Sequence, residues 1–117
     1  MKNTMKTFAM SALVAAVMTL PAAAQMKHGG TADTPAAKAS MQAHQKMMDA
    51  MNAVHPTGDQ DKDFVTMMIP HHQGAVDQAE VELKYGKDPE MKALAESIIA
   101  DQKKEIAIME KWLSVHK

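Results

Sequence analysis

Residues 59–86, DQDKDFVTMMIPHHQGAVDQAEVELKYG, decide how the chain folds. Asp59 or Asp61 can accept the first unpaired N–H groups of a helix, and Gly86 supplies a stop. Between them Val65, Ile69, Val76, Ala79 and Leu83 recur at helical spacing as an apolar stripe. The stretch therefore predicts one helix running to about Tyr85. Pro70 lies inside it, where the ring removes a hydrogen bond and crowds the preceding turn, so a kink is expected there.

Upstream, His55-Pro56-Thr57-Gly58 closes an earlier helix expected from Pro35 to about Val54, with Thr34 as N-cap and Pro35 at the first helical position. Downstream, Asp88-Pro89-Glu90 opens a third, reaching about His116. Its packing face reads as Leu94, Ile98, Ile106, Met109, Trp112 and Leu113. Neither strand alternation nor a hairpin signal appears. Three helices with short connections imply an all-α fold, an antiparallel bundle with its second helix bent at Pro70. So short a chain can leave an apolar face uncovered, and a homodimer is one way to cover it.

The beginning of the chain is expected to lie outside this fold. Lys2 and Lys6 precede an apolar run from Phe8 to Leu20, then Pro21 and Ala22-Ala23-Ala24. That order is the pattern of a secretory signal peptide, residues 1–24, cleaved near Ala24; the run is too short for a membrane span and has no basic stop-transfer flank. Residues 25–35 read as a flexible polar arm, and residues 36–117 as the helical domain.

Removing the leader takes away two of the 13 Lys and none of the 14 acidic residues, which leaves a mildly acidic chain without Arg. That balance argues against nucleic acid and against an anionic membrane surface as partners. There is no Cys, so disulfides, thiolate metal sites and thiol catalysis are all excluded. Any soft ligand must be a Met thioether or a His imidazole.

Those two residue types are concentrated. His44, Met47, Met48, Met51 and His55 fall within an arc of about 100° on the first helix, with Met41 beside it. From Gln25 to Asp63 the chain has no Leu, Ile or Phe. The second helix carries Met67, Met68, His71 and His72. A Met stripe is more often flexible packing than a ligand set, and a lone His on such a face is usually just hydrogen-bonded. Nine Met and six His between Gln25 and Lys117, concentrated on two helices with Leu excluded from one of them, favour metal. Thioether sulfur selects soft cations such as monovalent copper, and pairs one turn apart can converge on one ion.

Enzyme readings fare worse. No Glu is followed three positions later by His, as a carboxylate-bridged di-iron bundle requires. No haem-attachment or zinc-protease motif occurs. Non-covalent haem between one His and one Met would want aromatic walls, and only Phe64, Tyr85 and Trp112 are available after Phe8. No catalytic residue is assigned. Besides a haem or metal redox protein, the rival is an interaction or chaperone bundle gripping apolar partners with its methionines.

Asp63-Phe64, then Met67-Met68-Ile69-Pro70-His71-His72, Gly74-Ala75-Val76 and finally Trp112-Leu113 resemble the CopM-like family. The likeness spans about Met47 to Leu113. Members are exported helical bundles of a ferritin-like domain of unknown function. The resemblance implies a periplasmic protein that holds monovalent copper, or silver, through Met and His, in copper tolerance, sequestration or transfer to a delivery partner. By position it implies Met67, Met68, His71 and His72 as ligands, joined by Met47, Met48 and Met51, with His44 a further candidate. Where relatives continue His-His-x-Met and later Met-Ala, this chain has Gly74 and Gln78, so one site is expected to be weaker or lost.

Overall fold

The structure is a computed structural model that describes residues 33–117. The expected leader and all but the end of the expected arm lie outside the described residues. Three helices follow one another, α1 (Pro35–Asn52), α2 (Gln60–Tyr85) and α3 (Pro89–Val115), with no strand among the described residues. None of the three is long and apolar enough to cross a membrane.

Each helix begins on the cap its sequence offers. Thr34 Oγ1 accepts from the Ala37 N–H at 3.1 Å. Asp59 takes the Asp61 and Lys62 N–H groups, and Asp88 those of Glu90 and Met91. Pro35 and Pro89 occupy first-turn positions, where a missing N–H costs nothing. α1 stops two residues before the expected Val54, because Pro56 drives His55 out of helical conformation; the Ala53 and Val54 N–H groups still donate to the Asp49 and Met51 carbonyls. α2 continues through Pro70 even though that residue cannot donate to the Thr66 carbonyl.

Gly86 ends α2 in extended conformation, φ −67° and ψ 155°, rather than in the left-handed one. Its missing side chain matters for another reason: a Cβ there would meet the Glu82 carbonyl oxygen at 2.5 Å. The α1–α2 turn does use the left-handed region, at Gly58 with φ +88°. Asp63 fastens that turn. Its carboxylate accepts from the Thr57 N–H and hydroxyl at 2.7 Å each and from the Gly58 N–H at 3.1 Å. These hydrogen bonds, led by the Thr57 N–H, hold its pKa below the ordinary value of 3.8.

α2 is the middle member of the bundle. It packs on both neighbours, whereas the backbones of α1 and α3 do not approach each other closely. The helix geometry explains why. Gly74 abuts Met47 of α1, while His72 reaches Glu105 of α3. Two residues apart on a helix means about 200° around it, so the neighbours lie on opposite flanks. The contacts also run in opposite chain order: Ser40 meets Gln78 and Met47 meets Gly74, while Asp61 and Phe64 share a cleft with Ile108 and Trp112.

An open arrangement buries little. Ala43, Val65, Val76, Ala79, Ala95 and His72 are the buried side chains among the described residues. The packing face expected on α3 is only half-buried at Ile98, Ile106, Met109, Trp112 and Leu113, and Leu94 is exposed. That corrects the expectation that α3 buries this set: with no third helix to close over it, the outer part of the stripe faces solvent.

Candidate metal centre

Among the described residues no three His, Asp or Glu side chains come together as a metal site. Any site here must therefore draw on thioethers. The eight candidates do not form one cluster. They divide between the two flanks of α2.

One group lines the α1–α2 face. Met41, His44 and Gln45 share a cavity with Ser40 and Gln78, and the Gln78 amide donates to the Ser40 carbonyl at 2.8 Å. The opposite edge of the same seam is spanned by Lys46 and Asp77, 3.5 Å apart. Residues seven apart on a helix return to nearly the same direction. His71 therefore follows Gln78 on α2, and Met51 follows His44 on α1, with Met48 following Met41. Because the helices pair in opposite chain order, two turns along from the Gln78–His44 cavity brings His71 level with Met48 and Met51. Met67 lies one turn beyond His71. His44, Met48 and His71 are exposed, and Met51 and Met67 are half-buried.

Met47 has a different task. Its side chain lies against Gly74, where a Cβ would meet Met47 Cγ at 2.5 Å and Cβ at 2.8 Å. The departure at Gly74 is thus a steric fit: with no side chain there, the space is filled by a methionine from the neighbouring helix.

The other group faces α3. Met68 and His72 line a cavity of about 300 Å³ with Phe64, Glu105, Ile108 and Met109. His72 is buried and both its ring nitrogens are engaged. Nδ1 lies 2.9 Å from the Met68 carbonyl oxygen, which can only accept, so Nδ1 carries the hydrogen. Nε2 lies 2.5 Å from Glu105 Oε2. His71 does not share this cavity; its ring meets that of His72 edge-on, with centroids 6.1 Å apart.

Of the remaining candidates, His55 is exposed in the turn after α1, and His28 and Met26 lie outside the described residues. His116 stacks on Trp112 at 4.1 Å and bonds its carbonyl, so it closes the end of α3. Sequence reading missed Glu105 and set Met109 aside as core. Glu105 and Met109 are one turn apart on α3, as Met68 and His72 are on α2, and they meet only through the packing of the two helices, which sequence spacing does not show.

An all-helical fold with methionine and histidine on both flanks of its central helix is the class that fold and site define. The chain belongs to the family described as Domain of unknown function (DUF305), which it matches over residues 2–113. No curated protein matches it.

Proposed function

We propose that this is a non-enzymatic copper-binding protein that holds monovalent copper, and silver as its chemical analogue, on the α1–α2 face. One observation carries the reading. Helical spacing and the opposite chain order of α1 and α2 put His44, Met48, Met51, Met67 and His71 on one side of the pair, and α1 contains no Leu, Ile or Phe. Core packing alone gives no reason to exclude those three residues while concentrating thioethers, whereas coordination of a soft cation does. In this reading the three helices form an antiparallel, ferritin-like bundle bent at Pro70, and the bend aims His71 toward α1.

The resemblance to CopM-like proteins supports the same role. It adds export to the periplasm, with sequestration, tolerance or hand-over to a delivery partner as the use of the bound ion. A second copy of the chain is proposed to cover the open apolar face, where Phe64, Met91, Leu94 and Ile108 are exposed.

The test is an anaerobic competition titration with monovalent copper and a coloured chelator. The native chain is compared with a variant carrying Met48→Leu, Met51→Leu, Met67→Leu and His71→Gln. Leucine keeps the volume and apolar character, so folding should persist and is checked by circular dichroism. His72 is left intact because it is buried and joined to α3. The native chain is expected to outcompete the chelator and the variant to lose. Equal binding by both would move the site off this face. Binding by neither would leave the methionines as packing and favour the interaction-bundle reading.

A further inference from the structure

We infer that the open trough along α2 and α3 is a docking site for a basic amphipathic helix of a partner protein. The inference does not rest on copper binding, and none of the residues that carry it is a candidate ligand.

The trough follows from the order of the helices. With α1 and α3 on opposite flanks of α2, one long side of the α2–α3 seam stays open. Three cavities lie along it. The first, about 420 Å³, and the second, about 300 Å³, share Phe64, Ile108 and Met109, so they are continuous. The third, about 390 Å³, lies further along, between Ala75 and Glu82 of α2 and Leu94 and Ile98 of α3. Helical spacing puts the α2 lining residues of all three, from Asp61 to Glu82, within an arc of about 140°, so the cavities form one trough rather than pits on different sides. From Asp61 to Glu82 the trough runs for about 30 Å, the length of a helix of about 20 residues.

Exposure and charge narrow the occupant. Phe64, Leu94 and Ile108 are each more than half exposed, so apolar area remains to be covered. The charged residues lining the three cavities are Asp61, Glu82 and Glu105, and no Lys lines any of them. Lys62 and Lys117 line a separate polar cavity beyond Asp61. Among the described residues neither Asp61 nor Glu82 has a cationic partner. An apolar ligand with positive charge at its margins answers both features. It must also satisfy its own backbone hydrogen bonds, because no strand among the described residues offers an edge to pair with. A helix does so: its apolar stripe covers Phe64, Leu94 and Ile108, and flanking Lys or Arg meet Asp61 and Glu82. The same acidic margin opposes anionic lipid. A second copy is proposed to cover this face too, so a partner helix and a second copy compete for it.

Trp112, the chain's only Trp, lines the first cavity and reports its occupancy by fluorescence. The full chain is titrated with a Trp-free model peptide of about 20 residues, whose leucines form one helical stripe and whose lysines flank it. A second peptide carries glutamate in place of lysine. The lysine peptide is expected to bind, shift the emission to shorter wavelength, and bind more weakly as salt rises. The glutamate peptide is expected not to bind. Two double variants, checked by thermal melts, locate the contact. Leu94→Ser with Ile108→Ser should weaken binding by at least about tenfold, through loss of apolar burial. Asp61→Asn with Glu82→Gln should weaken it and flatten its salt dependence. Both variants should hold monovalent copper as the native chain does, which separates the fate of this reading from that of the copper reading. No binding by the native chain, equal binding of the two peptides, or undiminished binding by the Leu94 and Ile108 variant overturns the docking site. Emission that responds to the chain's own concentration or to vesicles of anionic lipid, but not to the lysine peptide, assigns the face to a second copy or a membrane and also overturns it.

Discussion

Replacing Gly74 by Ala tests how tightly α1 and α2 are joined at the level of the methionines. Two effects oppose each other. Alanine is the better helix former by about 1 kcal/mol, so an exposed site would gain stability. Here the new Cβ would meet Met47 Cγ at 2.5 Å and Cβ at 2.8 Å, with the sulfur also in the way. The sulfur and Cγ can swing aside, but Met47 Cβ is fixed to the α1 backbone, so the helices must shift. Overpacking of this kind costs about 1–3 kcal/mol. The net expectation runs from about zero to a loss of about 2 kcal/mol, against a gain of about 1 kcal/mol without the contact. The sharper measurement is a double-mutant cycle with Met47→Ala, read by urea denaturation. Removing the sulfur and Cγ relieves two of the three close contacts, so Gly74→Ala should be less harmful in that background by about 1 kcal/mol. A stabilising Gly74→Ala whose effect is additive with Met47→Ala to within about 0.5 kcal/mol would refute the packing of Met47 on Gly74.

Two further expectations concern the α1–α2 turn, and one concerns a helix start. Asp63 has a pKa lowered on folding, so the unfolded chain binds its proton more readily. Its contribution is complete above the ordinary value of 3.8 and disappears as pH falls through the lower folded value. Thermal melts of Asp63→Asn should lose part of the acid-side decline seen in the native chain, and parallel declines would count against the three-bond clamp. Gly58→Ala should cost about 1–2 kcal/mol, because nothing crowds the site and the whole penalty is the left-handed backbone at φ +88°; a neutral result in denaturant titration would show that the turn has another conformation. Asp88→Ala should cost about 1 kcal/mol by loss of the α3 cap, and Asp88→Asn much less.

The helices were legible because their ends are chemical. Thr34-Pro35, Asp59 and Asp88-Pro89 announce starts that need no tertiary information, and the structure uses each of them. The packing of α3 was less legible. Periodicity marks Leu94 as apolar-face, but whether that face is covered depends on α1 reaching α3, and it does not. Gly74 read as a missing ligand because the Met47 side chain that fills its space comes from another helix. Glu105 was invisible for the same reason: on α3 it looks like one more solvated carboxylate, and only its meeting with His72 sets it apart.

The doubled motif itself becomes intelligible once α2 is seen as the central helix. Neighbouring residues on a helix diverge by about 100°, so Met67 and Met68, like His71 and His72, leave α2 in different directions. They form two interleaved pairs, each one turn apart. Met67 and His71 form a pair on the side of α1, and Met68 and His72 form a pair on the side of α3. A helix with only one partner would leave one of those pairs in solvent. A helix in a closed bundle would bury both away from solvent. α2 has a neighbour on each flank and an open face between them, where Phe64 remains exposed and His71 reaches solvent. Met-Met-x-x-His-His therefore spans two sides of α2, and if the proposed site holds copper, changes at Met67 and His71 should weaken monovalent copper binding while leaving the His72–Glu105 contact to α3 in place.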